Sequence, residues 1–377
     1  LIGKKRKLTD IDIVCNEKAT DLAKQIAKQL KTKNISIYKN FGTALVKYGD
    51  LQIEFISARK EYYNEYSRKP EVVLGNMEDD QNRRDFTINA MSISLNEYNF
   101  GTLIDPFNGL KDLNNKIIKT PQNPNKTFSD DPLRMFRAIR FANQLGFIIE
   151  TETLKAIKDN RERITILSKE RMLYEFEKIL LSEKPSIGLN LLYKTGILKL
   201  YFKEFYDLQG VETVNNHSHK DNFFHTLEVI DNVRKKSSNK WLLWAALLHD
   251  IAKPKTKRYS EKEGWTFHGH EYLGSKMVPI IFNKLKLPLN ENMKYVQKLV
   301  LLHLRLIPLT KKNVTDSAYR RILYEAGNDI DDLYILCEAD ITSKNEEKVS
   351  RYLKNLKYVK NKIEEIEKND NLKNFQP

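Results

Sequence analysis

The spacing of apolar residues divides the chain into an α/β part, up to about residue 115, and a helical part after it. A β-branched run at 11–14 predicts a strand, and the apolar positions of 21–30 have helical spacing. Three further short segments predict strands: 35–38, 44–48 and 51–56. Gly49 and Asp50 separate the last two of these strands and predict a hairpin.

From residue 131 onward, apolar residues recur every three or four positions, which predicts helices almost to the end of the chain. The predicted helices are 131–146, 151–160, 169–181, 186–195, 224–235, 240–252, 274–285, 292–302, 317–325 and 346–368. The polar residues 121–130 predict a loop between the two parts. The fold class expected from this order is α+β, with a small α/β head followed by an all-helical remainder.

The composition excludes several classes of protein. The 377 residues are 41% hydrophobic and 30% charged, which is typical of a globular chain and excludes general disorder. The sequence has no apolar run of transmembrane length and no apolar segment after Lys4-Lys5-Arg6-Lys7 that would make a signal peptide. Two cysteines cannot form a disulfide framework, so a cytoplasmic location is expected, with no membrane partner. A net charge of +14 favours a polyanionic partner such as nucleic acid.

The first candidate chemistry is a set of carboxylates on the predicted strands. Side chains alternate along a strand, so Asp10 and Asp12 share one face while Ile11 and Ile13 enter the core. Glu54 lies in a second alternating strand and is the candidate third carboxylate. Such a set can hold Mg²⁺ beside phosphate oxygens. Taken alone, the Asp-x-Asp pattern is common, and Glu54 also fits an ordinary exposed strand position.

A second group of motifs suits a nucleotide. Adjacent arginines, Arg83 and Arg84, match the geometry of a triphosphate, and Asp85 and Asn89 are polar groups that could meet a ribose. Further along, 130–141 predicts a helix start that carries Asp131 and Arg134 on one face, where an acceptor and a donor can meet a base edge. Asp131 and Arg134 also fit a structural role, namely a helix cap with an ion pair.

In this order, the motifs resemble the bacterial tRNA nucleotidyltransferase/poly(A) polymerase family, the class II CCA-adding and A-adding enzymes. The resemblance implies a polymerase-beta-like nucleotidyltransferase head, with Asp10, Asp12 and Glu54 as catalytic carboxylates and the two aspartates binding Mg²⁺. It implies that Arg84 contacts the triphosphate and that Asp85 contacts the ribose. Residues 105–109 would form a hinge. Asp131 and Arg134 would read the base of CTP or ATP. The remaining assignments are Asn89 and Arg137 for nucleotide binding, and Arg171 and Glu175 for support of the base-reading pair.

The expected domains are a head at 1–120, a helical neck at 121–212 with the RNA-binding region, a metal-binding helical domain at 213–345 and the start of a helical tail at 346–377. The family's Gly-Gly-x-Val-Arg-Asp segment upstream of Asp10 is absent from the sequence. We therefore expect an N-terminally incomplete enzyme that binds nucleotide poorly and transfers little.

The second half contains an ordered set of metal-ligand residue types. An apolar segment ends in His249-Asp250, and the other members are His225, His270, His303 and Asp340. The set resembles the HD superfamily of metal-dependent phosphohydrolases and implies one or two divalent transition-metal ions. Its substrates would be a terminal or 2′,3′-cyclic phosphate on tRNA. Any single histidine here also fits a capping or core role, and His217, His219 and His268 have no assigned place.

The sequence therefore predicts an enzyme that adds C, A or both to the tRNA 3′ end, with CTP, ATP and the tRNA acceptor arm as partners. A poly(A) polymerase is the near alternative. A metal-dependent phosphohydrolase with an inactive transferase half and a non-catalytic RNA-binding protein are the alternatives from other classes. The oligomeric state is not predicted.

Overall fold

The computed structural model of the protein describes residues 9–38, 42–64, 67–214, 217–218, 221–310, 314–343 and 345–374. The chain forms two compact units, Leu1–Leu167 and Ser168–Pro377. The boundary lies inside the neck expected at 121–212.

The first unit contains most of the strands. They are β1 (Asp10–Cys15), β2 (Ile35–Tyr38), β3 (Thr43–Tyr48), β4 (Leu51–Ser57), β5 (Arg59–Asn64), β6 (Ser67–Leu74), β7 (Ser92–Ile93), β8 (Leu103–Ile104), β9 (Ile117–Ile118) and β10 (Ile148–Ile149). Its helices are α1 (Ala19–Gln29), α2 (Met77–Asn82), α3 (Gly109–Asn114), α4 (Pro124–Asp130), α5 (Leu133–Leu145) and α6 (Thr151–Asn160).

The second unit is mostly helical, as predicted. Its helices are α7 (Lys169–Leu180), α8 (Pro185–Lys194), α9 (Ile197–Tyr201), α10 (Lys203–Tyr206), α11 (Asn222–Lys236), α12 (Lys240–Leu248), α13 (Lys253–Thr256), α14 (His270–Leu285), α15 (Glu291–Leu302), α16 (Asp316–Ala326), α17 (Ile330–Asp340) and α18 (Glu346–Asn374). Its short strands are β11 (Thr213–Val214), β12 (His217–Ser218), β13 (Arg258–Ser260) and β14 (Gly264–Thr266).

The head sheet has the strand order β1-β4-β3-β2, with β1 parallel to β4 and the other pairs antiparallel. The predicted hairpin is confirmed, since Tyr48 pairs with Leu51 and Gly49 has the positive φ of 57° that a tight turn requires. Helix α1 covers one face of this sheet. Its fully buried positions are Ala19 and Ala23, which let the helix approach the strands closely, while the larger apolar residues of α1 are only partly buried around them.

The loop predicted at 121–130 is wrong, because α4 forms there. The side chain of Asn123 accepts hydrogen bonds from the backbone N–H groups of Asn125 and Lys126, and Pro124 occupies the first helical turn, where it needs no donor. Phe128 is fully buried and anchors the helix. A polar sequence thus becomes a helix because its cap is strong and one large apolar side chain finds the core.

Helix α12 runs through the centre of the second unit. Trp244 is fully buried, with ring centroids of Phe176 at 5.6 Å and Phe282 at 6.1 Å. A helix that is apolar on all sides is a buried one. It ends at Leu248 rather than at the predicted residue 252, and the buried residues 249–252 form a turn. No helix within the described ranges is both long and apolar enough to cross a bilayer.

Candidate functional site

The head carboxylates lie on neighbouring parallel strands. Asp12 is paired in register with Glu54, and Asp10 precedes Asp12 by two residues on the same face. All three side chains are exposed, whereas Ile11 and Ile13 between them are half-buried. The three do not form a group with oxygens within 4.8 Å of one another among the described residues. Their donor set of carboxylate oxygens suits Mg²⁺, which prefers one or two carboxylates and keeps other positions for water and phosphate.

Asp85 is the centre of a small polar network. Arg137 donates from Nε to Asp85 Oδ2 at 2.7 Å, and Asn89 donates from Nδ2 to Asp85 Oδ1 at 3.0 Å. Asp85 is 8% exposed and also accepts the backbone N–H of Phe86. The structure thus brings together three residues that the sequence assigned to nucleotide binding.

Arg84 has a partner that sequence reasoning missed. Asp80 on α2 accepts from Arg84 Nε at 3.0 Å and from Nη2 at 2.7 Å. Asp80 is 1% exposed, so its carboxylate is shielded from water. The available signal was the spacing of four residues between Asp80 and Arg84, which brings side chains together on a helix.

The predicted base-reading pair lies at the junction of α4 and α5. Asp131 Oδ1 accepts the backbone N–H of Leu133 at 3.1 Å, and Arg134 Nη2 donates to the backbone oxygen of Arg83 at 2.6 Å. Burial raises the pKa of the neighbouring Asp130, although Arg134 opposes this. Arg134 thus contacts the backbone of the arginine segment 83–84.

The segment predicted as a hinge is a capped turn before α3. Asp105 accepts the backbone N–H groups of Gly109 at 2.6 Å and Leu110 at 2.9 Å. Gly109 packs against Thr87, since an added Cβ would lie 2.3 Å from the Thr87 carbonyl oxygen. Glycine is required here by close approach rather than by an unusual φ.

Helix α7 opens the second unit and carries the two residues expected to support the base-reading pair. Glu175 is 3% exposed, while Arg171 lies on the solvent side.

The histidine and aspartate set of the second unit converges, although it spans residues 225 to 340. In the first triad, His225 Nε2 lies 2.8 Å from Asp340 Oδ1, and His249 Nε2 lies 3.5 Å from the same oxygen. Ligand atoms of these three residues are all within 4.8 Å of one another. The helices that carry them, α11 and α17, pack directly against each other and against α12, which ends just before His249.

A second triad lies beside the first. It consists of Asp250, His270 and His303, with the two imidazole Nε2 atoms 3.3 Å apart. Asp250 Oδ1 is 3.3 Å from His270 Nε2, whereas Asp250 Oδ2 faces His249 Nε2 at 3.2 Å. One carboxylate therefore faces both triads, with one oxygen directed to each.

Three of the imidazoles are held in the same orientation. His249, His270 and His303 each place Nδ1 2.7 Å from the carbonyl oxygen three residues earlier. A carbonyl only accepts, so Nδ1 carries the proton and Nε2 faces the centre of the cluster. Such backbone contacts are the usual way in which metal-binding imidazoles are oriented.

The charges of the cluster are strongly coupled. Burial alone would lower the pKa of His249, but Asp250 and Asp340 outweigh it and raise this pKa to about 10. Burial and the nearby His249 lower the pKa of His303 to about 4. Burial would raise the pKa values of Asp250 and Asp340, yet the surrounding imidazoles hold both well below the usual carboxyl range. Without metal, the His249 imidazole is thus a cation between two carboxylates.

These residues fit divalent metal ions. His249 Nε2 is fully buried and has no hydrogen-bond partner of acceptable geometry in the described part of the chain. A buried polar atom without a partner is costly, and a metal ion would supply one. Imidazole nitrogens with carboxylate oxygens are the ligands that first-row divalent ions prefer.

Two residues beside the cluster were missed from the sequence. Lys253 Nζ donates to Asp250 Oδ2 at 2.6 Å, and Thr342 Oγ1 lies 2.8 Å from His225 Nδ1. Lys253 follows Asp250 by three residues, a spacing that could have indicated it. His268 is 82% exposed, unlike the buried histidines of the cluster, and the side chains of His217 and His219 lie outside the described residues.

Three family models match consecutive parts of the chain. The "Poly A polymerase head domain" matches residues 1–119, the "Probable RNA and SrmB- binding site of polymerase A" matches 146–208, and the "HD domain" matches 222–345.

Curated relatives match the chain over part of their length. The CCA-adding enzyme of Bacillus velezensis is 37% identical over 198 residues, which is 52% of this chain and 48% of that protein. The A-adding tRNA nucleotidyltransferase of Deinococcus radiodurans is 33% identical over 273 residues, 70% of this chain and 60% of that protein. The chain thus spans about half to three fifths of the length of these two relatives.

Solved structures share the fold over nearly all of the chain. A tRNA nucleotidyltransferase complexed with a primer tRNA and an incoming ATP analog has a TM-score of 0.63 and 24% identity, covering 94% of this chain and 92% of its own. The Thermotoga maritima CCA-adding enzyme complexed with tRNA has a TM-score of 0.63 and 21% identity, covering 94% of this chain and 74% of its own.

Proposed function

Because the chain belongs to the tRNA nucleotidyltransferase/poly(A) polymerase family and carries an HD domain, we propose that it adds C, A or both to the 3′ end of tRNA. The observation that carries this proposal is the register of β1 with β4, which sets Asp12 beside Glu54 with Asp10 on the same face. The proposed substrates are CTP, ATP and the acceptor arm of tRNA. The net charge of +14 supports a polyanionic partner of this kind.

The proposed reaction is attack of the tRNA 3′-hydroxyl on the α-phosphate of the nucleotide, with pyrophosphate as the leaving group. Asp10 and Asp12 would hold Mg²⁺, and Mg²⁺ would supply activation of the hydroxyl and neutralisation of the charge on the phosphate. Glu54 extends the same carboxylate face. Asp85, Asn89 and Arg137 form a preorganised network that suits a ribose and its phosphates.

The base would be chosen by Asp131 and Arg134, which together present an acceptor and a donor. Selection by hydrogen bonds is strong because a mismatched base leaves buried polar groups unpaired. A poly(A) polymerase uses the same parts, so the nucleotide added and the acceptor RNA decide between the two activities.

The deciding experiment is incorporation of labelled CTP or ATP into tRNA that ends at the discriminator base, at C or at CC. Asp12→Asn should abolish incorporation and leave the circular-dichroism spectrum unchanged, because this exposed side chain makes no core contact. Asp21→Asn is the matched control, since it removes an equally exposed carboxylate of the same unit whose ion pair with Lys24 is worth little. Normal incorporation by folded Asp12→Asn would contradict the assignment.

For the HD site we propose hydrolysis of a phosphoester at an RNA end, either a terminal phosphate or a 2′,3′-cyclic phosphate. The two adjacent triads support it, because Asp250 of the second triad also faces His249 of the first. Bound divalent transition-metal ions would lower the pKa of a water ligand and stabilise charge on the phosphate. Lys253, beside Asp250, adds a positive charge that suits the substrate. The test is release of phosphate, or opening of a 2′,3′-cyclic nucleotide, by wild-type protein with added Mn²⁺, Co²⁺ or Ni²⁺ and its absence in His249→Ala.

We place the protein in the cytoplasm as part of the same proposal. Cys15 and Cys337 are both free thiols, and free thiols persist in reducing compartments.

A further inference from the structure

One buried carboxylate holds two adjacent arginines in the head. Asp80 Oδ2 accepts from Arg84 Nε at 3.0 Å and Nη2 at 2.7 Å. Asp80 Oδ1 accepts from Arg83 Nε at 3.0 Å and from Arg83 Nη2. Each oxygen thus receives a two-pronged contact from a different guanidinium. Charge-assisted pairs of this kind fix orientation as well as distance.

The two arginines differ in how many of their guanidinium nitrogens contact carboxylates. Arg83 Nη1 donates to Glu61 Oε1 on β5 at 3.3 Å, so all three of its guanidinium nitrogens contact carboxylates. Arg84 uses one edge for Asp80 and is 28% exposed, compared with 16% for Arg83. A ligand can therefore reach Arg84 more easily than Arg83, at the edge of the guanidinium that does not contact Asp80.

Arg83 has a second function through its backbone. Its carbonyl oxygen accepts from Arg134 Nη2 at 2.6 Å. A contact chain therefore runs from Arg84 through Asp80 and Arg83 to Arg134, all within the first unit. It connects the residue assigned to the triphosphate with a residue assigned to the base.

We propose that Asp80 is a positioning residue that directs Arg84 toward the triphosphate of the nucleotide and, through Arg83, holds Arg134 at the base. This proposal rests on the proposed transferase function. Without Asp80, the like charges of Arg83 and Arg84 would repel, and each guanidinium would gain rotamers that do not fit a ligand. Asp80 does not touch the nucleotide in this arrangement.

Asp80→Asn is the informative variant, since an amide oxygen can still accept from one arginine while its NH₂ group faces the other. Glu78→Gln removes the same charge from the same helix at an exposed position and serves as control. The first measurement is calorimetric binding of inorganic tripolyphosphate. Charge alone predicts tighter binding in both variants, whereas loss of orientation predicts binding weaker by about tenfold or more in Asp80→Asn only.

The second measurement is incorporation kinetics with each of the four nucleotides. Asp80→Asn should raise the KM for CTP and ATP, with a smaller change in kcat, and should lower discrimination against UTP and GTP. In an Arg84→Ala background, the effect of Asp80→Asn on tripolyphosphate binding should disappear, because the side chain through which it acts is gone. The effect on base discrimination should persist, since it acts through Arg83.

The outcomes separate this proposal from the transferase function. If the wild type incorporates nucleotide and Asp80→Asn matches Glu78→Gln in all measurements, the function stands and the role of Asp80 is refuted. If the wild type does not incorporate nucleotide, tripolyphosphate binding still decides the role of Asp80. Should Asp80→Asn fail to fold by thermal melting, Asp80→Glu keeps the charge but displaces the carboxylate, and unchanged tripolyphosphate binding by this variant would overturn the proposal.

Discussion

Metal binding at the two histidine and aspartate triads of the second unit should release close to one proton from His249. His249 Nε2 lies 3.2 Å from an Asp250 oxygen and 3.5 Å from an Asp340 oxygen, and these carboxylates raise the His249 pKa to about 10. At pH 8 this imidazole is therefore about 99% protonated without metal. A metal ion needs the neutral imidazole, so binding must displace the proton. His303, with a pKa of about 4, is already neutral and contributes none.

The release of one proton sets how strongly the metal affinity depends on pH. Apparent affinity for Mn²⁺ should rise about tenfold for each pH unit between pH 7 and pH 9, a total of about a hundredfold. Titration calorimetry in buffers with different ionisation enthalpies measures both the affinity and the number of protons released. His268→Ala is the control, because His268 is exposed and should leave both quantities unchanged. A proton release near zero, or an affinity that does not depend on pH, would refute the charge state derived for His249.

The same proton links stability to pH in the metal-free protein. A histidine pKa raised on folding stabilises the fold fully below its unfolded value of about 6.5, and this contribution is lost as the pH rises toward about 10. The free energy of unfolding should therefore fall by up to about 1.4 kcal/mol per pH unit in that window. Asp250 and Asp340, with lowered pKa values, contribute above the usual carboxyl range and are lost only in acid. Urea denaturation with chelator present, compared between wild type and His249→Ala, measures the slope.

Further changes test the separate parts of the molecule. Asp131→Ala or Arg134→Ala should weaken selection of CTP and ATP over UTP and GTP in incorporation assays, and unchanged selectivity would place the base-reading groups elsewhere. His249→Ala should leave nucleotide incorporation intact while abolishing phosphoester hydrolysis, because the two sites use separate carboxylate sets; parallel loss of both activities would contradict this. Gly109→Ala should cost about 1–3 kcal/mol in thermal unfolding, because its Cβ would lie 2.3 Å from the Thr87 oxygen; an unchanged melting temperature would show that this turn relaxes freely.

Local sequence pattern predicted the regular elements well where one periodicity dominated. The strand at 35–38 and the helix at 151–160 have the predicted bounds, and most other helices differ at their ends by a few residues. The missed elements include the strands β5 and β6, the helix α17 and several short helices and strands. Charged residues are frequent in β5 and β6, so no clean alternation was visible, and Asp331 and Asp332 interrupt the apolar pattern of α17.

Candidate ligands were easier to predict than the groups that hold them. Metal-ligand residue types are few in this chain, so an ordered set such as His249-Asp250 with His225 and Asp340 is visible in the sequence. Asp80 and Lys253 belong to residue types that are common on any surface. Their importance comes from burial and from contacts three or four residues along the chain, which only the folded structure reveals.

Asp250 explains why the two triads should be treated as one site. Its two oxygens face different imidazole groups, His270 at 3.3 Å and His249 at 3.2 Å, so ions bound on either side would share its charge. An ion bound at the first triad would withdraw electron density from Asp250 and would thereby weaken it as a ligand for a second ion. Binding of the first ion would also displace the proton that makes His249 cationic, and this would lower the repulsion on the second ion. Whether the ions bind cooperatively is therefore set by the balance of these two effects at a single carboxylate.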